Sequence, residues 1–569
     1  MDFSAGARAL LQLSRSVFLA RRALAPAQVP TERPVARAPS AGPRRRNILF
    51  ITTDQQRYDS LGVTGHPLTR TPSIDALARD GALYRRAHVQ NVVCMPSRAT
   101  MLTGQHPLTH GVVANGVPLD DHPPNVADLL RQAGYRTALL GKAHFDPHLD
   151  PLLRFGENRL AAERSTGPWR GFEHVELATH GPLGGHHYAA WLWEQHPELV
   201  PGFGAVLTAS GGGTTGAPEV KDNPVPREHY HTDWIADRTV AWLRSLEVES
   251  ESAPFFCWMS FPDPHHPFDP PLDEVRKRGD LRSRPLPPGH PGTPERIRAI
   301  LAKKPRHWLD WYDGRHRNPE GGPIGFAPAT LTHDQVREID RAIQVENELV
   351  DEAIGRVMAC LRERGLDADT DVFFTSDHGE LQGDFGLMFK GPYHVESLLR
   401  VPFIWRPAPS LGATPVAIDE PVGHVDLAPT FCAIAGIPVP AEMQGTPLPL
   451  AAGSKRERVI TTFDSQFASI GMHLRTIYRD GMICTAYEPS TRDRGGRFPL
   501  YSSVWLRGST LPRYDGTEGE LYDVREDPHQ WENLWDDPSR RALREELVAD
   551  LRAHLPRERL PRLAVASPT

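Results

Sequence analysis

The stretch Asn47–Thr53, NILFITT, decides the fold class of this 569-residue chain. Its apolar residues follow one another without polar alternation, which predicts a strand that is buried on both faces, as in a parallel sheet covered by helices. Asp54 follows the strand directly. The stretch therefore predicts a parallel sheet whose carboxyl edge carries polar side chains.

Apolar runs elsewhere in the chain extend this pattern. Three of them are predicted as strands, at 135–140, 254–261 and 371–376. Amphipathic or capped segments between them are predicted as helices, at 72–80, 126–134 and 335–365. Because strands and helices alternate, the sequence predicts an α/β fold with a mostly parallel sheet sandwiched by helices.

Composition shifts along the chain suggest three parts. The segments 150–230 and 267–333 are rich in Gly, Pro, His and Trp with little periodicity, and we interpret them as insertions that wall a pocket. After about residue 453, shorter runs of alternating apolar and polar residues follow, and then a predicted helix at 539–554. The predicted parts are a disordered extension at 1–46, a catalytic domain at 47–452 and a smaller C-terminal α+β domain at 453–569.

The first 46 residues hold nine arginines against Asp2 and Glu32, a net charge of 9 − 2 = +7. Arg15, Arg21 and Arg22 interrupt their apolar stretch, which disfavours a secretory signal peptide. We interpret the segment as a disordered extension or a start codon assigned too early, and a transit peptide stays open.

Bulk composition limits the partners. The net charge of −7 gives no reason to expect nucleic acid, and no run of 18 apolar residues predicts a membrane span. Five cysteines without a CxxC pair fit a reducing compartment, so we predict a cytoplasmic protein. Four of them are interpreted as small core residues: Cys257, Cys360, Cys432 and Cys484.

Residues of catalytic type follow each predicted strand. These are Asp54 after the first, Lys142 and His144 after the second, Asp263, His265 and His266 after the third, and Asp377 and His378 after the fourth. Ligands of open parallel sheets bind outside the carboxyl ends of the strands, so we expect these groups to converge in one crevice.

The chemistry of this set favours transfer of a sulfuryl or phosphoryl group. Asp54, Asp377 and His378 suit a divalent metal ion, whereas Lys142, His265 and Lys390 suit an anionic substrate. A metal and several cations around one anion can stabilise the charge that develops on its oxygens.

The most specific local signal is CMPSRATMLTG, from Cys94 to Gly104. Pro96 favours the start of a helix, which predicts that Cys94 lies at a helix N-terminus. The helix dipole favours negative charge at that position.

This motif resembles the signature of the type I, formylglycine-dependent sulfatases, members of the alkaline phosphatase-like superfamily. Further motifs follow that family's order and spacing: DQQRYDSLG from Asp54, LLGKAHF from Leu139, SFPDPHHPF from Ser260, TSDHGELQGDFGLMFKGPY from Thr375 and GELYDVREDPHQWENL from Gly519. The resemblance covers about residues 47–534. It implies a hydrolase of sulfate esters and says little about the substrate.

The resemblance also implies the role of Cys94. A formylglycine-generating enzyme would oxidise it to formylglycine, whose hydrate is a geminal diol. One hydroxyl attacks sulfur, and loss of the proton from the other lets sulfate leave as the aldehyde re-forms.

Other residues match family positions. The metal positions match Asp54, Gln55, Cys94, Asp377 and His378. Arg98 and Lys142 match residues that hold the diol, and His144 matches the base of the elimination. His265 and Lys390 match groups that bind a sulfate oxygen and assist the leaving group, and Asn115 is expected near the sulfate or as a turn residue. For His265 the adjacent His266 is a competing assignment.

Two positions depart from the commonest family pattern. Gln55 stands where many sulfatases have aspartate, and His378 where many have asparagine, a variant that resembles choline sulfatases and phosphonate monoester hydrolases. With fewer carboxylates around the ion, we expect one divalent metal, Ca²⁺ with Mn²⁺ as the alternative. Lys142 and His144 match the sulfatase choice and favour sulfate esters.

Three hypotheses follow. The leading one is a sulfatase that acts on a small organic sulfate ester. The second is a phosphonate monoester or phosphodiester hydrolase on the same scaffold. The third is an inactive anion-binding protein whose Cys94 stays a thiol. The sequence leaves the substrate and a homo-oligomeric state open.

Overall fold

The computed structural model describes residues 16–25, 45–121, 124–148, 150, 152–180, 185–207, 211–247, 253–318, 320, 325–465, 471–490, 512–560, 563 and 565–566. Its centre is an eight-stranded sheet in the order β11-β2-β10-β9-β1-β8-β4-β5. The strands are β1 (Asn47–Thr53), β2 (Ala82–Tyr84), β4 (Arg136–Gly141), β5 (His174–Leu177), β8 (Phe255–Ser260), β9 (Thr370–Ser376), β10 (Phe403–Arg406) and β11 (Val416–Ile418).

The pairing within this sheet is mostly parallel. Strand β1 lies between β8 and β9 and is parallel to both, and β4 is parallel to β5 and β8. Only β10 runs against its neighbours β9 and β2 among the described strands of this sheet. The predicted mostly parallel α/β sheet is therefore confirmed.

Helices cover both faces of the central sheet, with α2, α4 and α14 on one face and α1, α8 and α12 on the other. The α-helices of the described residues are α1 (Pro72–Arg79), α2 (Cys94–Thr103), α3 (Pro107–His110), α4 (Val126–Gln132), α5 (Gly156–Ala162), α6 (His187–Gln195), α7 (Val200–Leu207), α8 (His231–Ser245), α9 (Leu272–Arg276), α10 (Pro294–Leu301), α11 (His307–Tyr312), α12 (His333–Glu363), α13 (Glu396–Leu399), α14 (Leu427–Ala435) and α15 (Arg541–His554). The three predicted helices correspond to α1, α4 and α12, with ends that differ by one or two residues.

Side chains of β1 alternate between two hydrophobic cores. Ile48 and Phe50 pack in the core formed with α2, α4 and α14, whereas Leu49 and Ile51 pack in the core formed with α1, α8 and α12. All four side chains are fully buried, and each such side chain stabilises the fold by about 1.5–3 kcal/mol. This burial on both faces explains why NILFITT lacks polar alternation.

A smaller antiparallel sheet forms the C-terminal part. Its order is β13-β14-β15-β16, with β13 (Arg458–Asp464), β14 (His473–Arg479), β15 (Met482–Tyr487) and β16 (Gly519–Asp523). Helix α15 covers it through Leu547 and Leu551. The predicted C-terminal α+β architecture is confirmed, and the domain boundary at 452/453 stays a prediction.

Four short strands complete the described chain: β3 (Ala87–His88) paired with β12 (Val422–Gly423), and β6 (Gly211–Gly212) paired with β7 (Ala217–Pro218). The segments predicted as insertions, 150–230 and 267–333, contain helices α5 to α7 and α9 to α11, together with strands β5, β6 and β7. No helix among the described residues is long and apolar enough to cross a membrane.

The structure describes residues 16–25 of the N-terminal segment, and the disordered extension at 1–46 stays a prediction. Residues 16–24 are helical, and Phe18 is buried against Leu153 and Ala190. Arg22 also donates to Glu194 at 2.6 Å. The rest of that prediction, for 1–15 and 26–44, falls outside the described residues.

Candidate active site

The register of the central sheet brings the predicted site residues together. Thr53 pairs with Ser376, and Gly141 and Thr52 both pair with Ser260, so strands β1, β4, β8 and β9 end at nearly one level. The residues that follow these ends are Asp54, Lys142, the segment 261–266, and Asp377 with His378. The predicted convergence at the carboxyl edge of the sheet follows from this alignment.

Cys94 is the first residue of α2, at the centre of this edge. Its Sγ lies 3.2 Å from Nε2 of His378 and 3.6 Å from Oδ1 of Asp54. Burial, with the charge of Asp54, raises the pKa of the Cys94 thiol to about 12. An unmodified Cys94 is therefore a neutral thiol at physiological pH and a poor nucleophile.

Four side chains could hold a metal ion. Asp54, Cys94, Asp377 and His378 each offer one ligand atom, and these atoms lie within 4.8 Å of one another. The Nδ1 of His378 lies 2.9 Å from the carbonyl oxygen of Gly379. That contact suits an imidazole whose Nε2 lone pair is free to bind a cation. The donor set thus fits one divalent ion.

Gln55 lies beside this group. Its Oε1 accepts a hydrogen bond from Nζ of Lys390 at 2.8 Å, and its Nε2 donates to Glu380 at 2.5 Å. Its backbone is left-handed, with φ of 63°, and its N–H donates to Asp377 Oδ1 at 3.0 Å. The side-chain amide of Gln55, which was predicted as a metal ligand, therefore lies within the site and contacts Lys390.

Arg98 bridges the carboxylates of Asp54 and Asp377. Its guanidinium donates to Asp377 Oδ2 at 2.8 Å, to Asp54 Oδ2 at 3.1 Å, to the carbonyl of Lys142 at 2.9 Å and to the hydroxyl of Ser260 at 2.9 Å. The side chain is completely buried. Such a group holds the ends of four strands and the nucleophile helix in one arrangement.

The pKa values of Asp54 and Asp377 shift in opposite directions. Burial raises the pKa of both, and for Asp54 the charges of Lys142 and Arg98 outweigh it and hold the pKa well below its usual value. For Asp377, burial and the neighbouring Asp54 raise the pKa to about 7. A bound cation would favour the ionised form of both.

His265 and Lys390 lie together, as the sequence predicted. Lys390 Nζ contacts Nε2 of His265, which lies 4.0 Å from Asp54 Oδ1. His266 stacks on His265 and its Nδ1 lies 3.2 Å from Nε2 of Gln55. His265 is therefore the histidine next to the ammonium group of Lys390, and the ring of His266 stacks against it.

His144 follows Lys142 in a left-handed conformation, with φ of 56°. Its ring is buried, and Nε2 lies 3.4 Å from Nδ1 of His148. Burial and the charge of Lys142 lower the pKa of His144 well below its usual value. The imidazole is consequently neutral, with one ring nitrogen free of a proton.

Asn115 supports the nucleophile segment. Its Oδ1 accepts from the N–H of Met95 at 3.0 Å, and its Nδ2 donates to Glu320 at 3.1 Å. It is buried, so it serves to anchor the first turn of α2 within the site.

A model of the family described as Sulfatase matches residues 46–437. This chain belongs to the sulfatase family. Its members are sulfuric ester hydrolases of the alkaline phosphatase-like superfamily, which confirms the family and enzyme class that the motifs around Cys94 predicted.

Similar proteins include both sulfatases and related hydrolases. The chain is 27% identical over 496 residues to the uncharacterized sulfatase YidJ of Escherichia coli, covering 87% of this chain and 84% of the relative. It is 26% identical over 523 residues to the multifunctional alkaline phosphatase superfamily protein PehA of Trinickia caryophylli, covering 88% and 93%. The phosphonate monoester hydrolase of Agrobacterium radiobacter shares its fold, with a TM-score of 0.69, 24% identity and coverage of 90% and 96%.

Three residues of this sulfatase site were not predicted from the sequence. Glu380 binds Gln55 and, because of burial, has a pKa raised to about 7. Glu320 binds Asn115, and burial raises its pKa to about 7 as well. His424 lies 3.0 Å from the hydroxyl of Ser97. Glu380 lies in a motif that was recognised, whereas Glu320 lies in a segment without any periodic signal.

Proposed function

We propose that this member of the sulfatase family hydrolyses a sulfate ester of a small organic molecule, with formylglycine made from Cys94 as the nucleophile. The observation that carries this proposal is the position of Cys94 at the start of α2, 3.2 Å from His378 and 3.6 Å from Asp54. Around it lie the cations Arg98, Lys142 and Lys390, which suit a substrate with several anionic oxygens.

The proposed metal ligands are Asp54, Gln55, Cys94, Asp377 and His378. Mostly oxygen donors favour Ca²⁺, and the imidazole leaves Mn²⁺ as the alternative. When bound, the ion supplies positive charge that offsets the negative charge developing on the reacting oxygens.

The chain's own residues divide the reaction between them. Arg98 and Lys142 hold the diol at position 94, one hydroxyl of which attacks sulfur as the S–O bond to the alcohol breaks. His265 and Lys390 bind a sulfate oxygen and assist the departing alcohol, and Asn115 stands beside the sulfate. His144 takes the proton of the second hydroxyl, so the C–O bond to sulfate breaks and the aldehyde re-forms. Water then restores the diol.

Maturation would require a formylglycine-generating enzyme, because the segment from Cys94 to Arg98 matches the family signature for this oxidation. All five cysteines are free. The proposed location is the cytoplasm, where thiols stay reduced.

The test is the mass of the tryptic peptide 87–98 after co-expression with a formylglycine-generating enzyme, combined with an assay of sulfate release. We expect an aldehyde or its hydrate at position 94, and sulfate release that disappears in Cys94→Ala. Sulfate release that persists in Cys94→Ala would contradict the proposal. A thiol in the matured protein would instead favour an anion-binding protein.

A phosphonate monoester or phosphodiester hydrolase is the second candidate. The presence of Gln55 and His378 in the site favours it, as does the similarity to the multifunctional protein PehA. Rates on an aryl sulfate and a phosphodiester with the same leaving group separate the two. We expect the sulfate to react faster, and a preference for the phosphodiester would assign the second function.

A further inference from the structure

A second group of imidazole and carboxylate side chains lies behind His265. His180, His231 and Asp263 each offer one ligand atom, and these atoms lie within 4.8 Å of one another. The ring of His180 packs on that of His265 with centroids 4.7 Å apart. The group therefore borders the wall of the candidate active site without sharing a residue with the proposed metal ligands.

Neighbouring hydroxyl groups hold Asp263 in place. Its Oδ1 lies 2.7 Å from Nε2 of His231 and accepts from the hydroxyl of Tyr230 at 3.0 Å. Its Oδ2 accepts from the hydroxyl of Thr232. Hydrogen bonds of this kind commonly orient the carboxylate ligands of metal ions.

Several buried polar atoms in and beside the group have no hydrogen-bond partner in the structure. They are both ring nitrogens of His180, Nδ1 of His231, both carboxylate oxygens of Asp269 and Oε2 of Glu346. His231, Asp269 and Glu346 are fully buried. Leaving such atoms unpaired is costly, and a cation would satisfy the carboxylates and imidazoles together.

Asp269 and Glu346 bring two more carboxyl groups next to these three residues. The backbone N–H of Asp269 donates to Glu346 Oε1 at 3.0 Å, and the charges of Asp263 and Asp269 both act on Glu346. Burial raises the pKa of Asp269 to about 8. A cation bound nearby would favour the ionised form of these carboxyl groups.

We propose that His180, His231 and Asp263 bind a second divalent metal ion, of the transition series. Two imidazoles and a carboxylate suit Zn²⁺ or Mn²⁺, whereas Ca²⁺ prefers oxygen ligands alone. On binding, the ion would replace the proton between Nε2 of His231 and the carboxylate of Asp263. The ion would add positive charge behind His265. This assignment does not depend on the reaction at Cys94.

The experiment counts Zn²⁺ bound to full-length protein in which Asp377→Asn and His378→Ala remove two of the proposed ligands of the first site. After removal of metal with a chelator and dialysis against Zn²⁺, metal analysis should give one ion per chain. Adding His180→Gln should lower the affinity for Zn²⁺ at least 10-fold in calorimetric titration. His180 lies on a loop, so this change should preserve the circular dichroism spectrum.

The matched control is His554→Gln, because His554 is an exposed histidine paired with Asp550. It should leave the number of bound ions and their affinity unchanged. The proposal is overturned if the background protein binds no Zn²⁺, or if His180→Gln and Asp263→Asn leave binding as it was. Loss of sulfate release in any of these proteins does not bear on the count of ions, so failure of the proposed reaction remains distinguishable.

Discussion

The ammonium nitrogen of Lys142 lies 2.6 Å from Oδ2 of Asp54, although β8 separates the strands that carry the two residues. Both side chains are buried, and Arg98 reaches the same carboxylate oxygen. Two cations on one carboxylate keep Asp54 ionised, which is the state that a metal ligand needs.

Lys142→Met should therefore lower kcat by about 100-fold, since a preorganised charge at the reacting oxygens is lost. Arg98 still pairs with Asp54, so the free energy of unfolding should fall by less than the roughly 3–5 kcal/mol seen when a buried charge loses its only partner. Steady-state kinetics and thermal unfolding measure both effects.

The control is Lys303→Met, which breaks an exposed ion pair with Glu532 at 2.8 Å. It should leave kcat unchanged and alter stability by less than about 1 kcal/mol. Equal kinetics of Lys142→Met and wild type would remove Lys142 from the proposed machinery.

Removal of the divalent ion should abolish activity reversibly. The cluster of Asp54, Cys94, Asp377 and His378 brings two carboxylates together, and added Ca²⁺ or Mn²⁺ should restore turnover of chelator-treated protein. Asp377→Asn should need at least 10-fold more ion for half-maximal activity. Asp419→Asn, at an exposed aspartate, should need no more ion than wild type. Undiminished turnover after complete metal removal would contradict the metal assignment.

The strands and their convergence could be predicted because they are encoded locally. Strands β1, β4, β8 and β9 are largely apolar runs, and each is followed by polar residues of catalytic type, as at Asp54 and Asp377, whereas β2, β5, β10 and β11 were not predicted. Helix ends were less accurate, because periodicity does not specify the capping residue. The helix predicted at 335–365 spans His333–Glu363, since Thr332 forms a capping box with Gln335.

The remainder of the site depends on tertiary contacts that no local pattern encodes. The four hydrogen-bond acceptors of Arg98 come from four separate segments, so these contacts could not be predicted from the local sequence. Glu320 and His180 lie in segments rich in Gly, Pro and His, where periodicity is absent. Their placement next to Asn115 and His265 results from the packing of insertions against the edge of the sheet.

Gly141→Ala should disrupt the site through the backbone. Gly141 has φ of +107°, and an added Cβ would lie 1.8 Å from the carbonyl oxygen of Ser260 on the neighbouring strand. The two strands would have to separate just before Lys142. We expect little soluble protein, or a fall in the free energy of unfolding of more than about 3 kcal/mol.

Gly436→Ala is the matched control. Gly436 also has a positive φ, of +66°, but an added Cβ would meet nothing within 4 Å. This substitution should lower the free energy of unfolding by only about 1 kcal/mol, because alanine is strained in the left-handed conformation. Similar thermal shifts in both variants would show that the contact between Gly141 and Ser260 is not tight.

His144→Ala should separate the two halves of the proposed reaction. The neutral, buried imidazole is the proposed base for elimination, so attack on sulfur should proceed while release of sulfate slows. We expect a burst of about one equivalent of alcohol per active chain, and a sulfate adduct on peptide 87–98 by mass spectrometry. Cys94→Ala should show no burst. Loss of the burst in His144→Ala would assign His144 to the first step instead.

A buried carboxyl in α5 should make stability depend on pH. Glu157 is the second residue of this helix, and its Oε1 accepts from the N–H groups of Phe145 and Asp146 at 2.6 and 2.9 Å. Burial, together with the charge of Asp146, raises its pKa from 4.5 to about 8. Between these values the folded protein keeps a proton that the unfolded chain has lost.

The contribution of Glu157 to stability is therefore fully present below pH 4.5 and declines as the pH rises to about 8. Glu157→Gln keeps the acceptor oxygen but removes the ionisation, so the variant should match wild type near pH 5 and exceed its melting temperature at pH 8. Thermal unfolding across this range measures the difference. Glu163→Gln, just after the same helix at a half-exposed side chain paired with Arg21, should differ from wild type by less than about 1 kcal/mol across this range. A constant difference between Glu157→Gln and wild type from pH 5 to 8 would mean that Glu157 does not change its protonation over this interval.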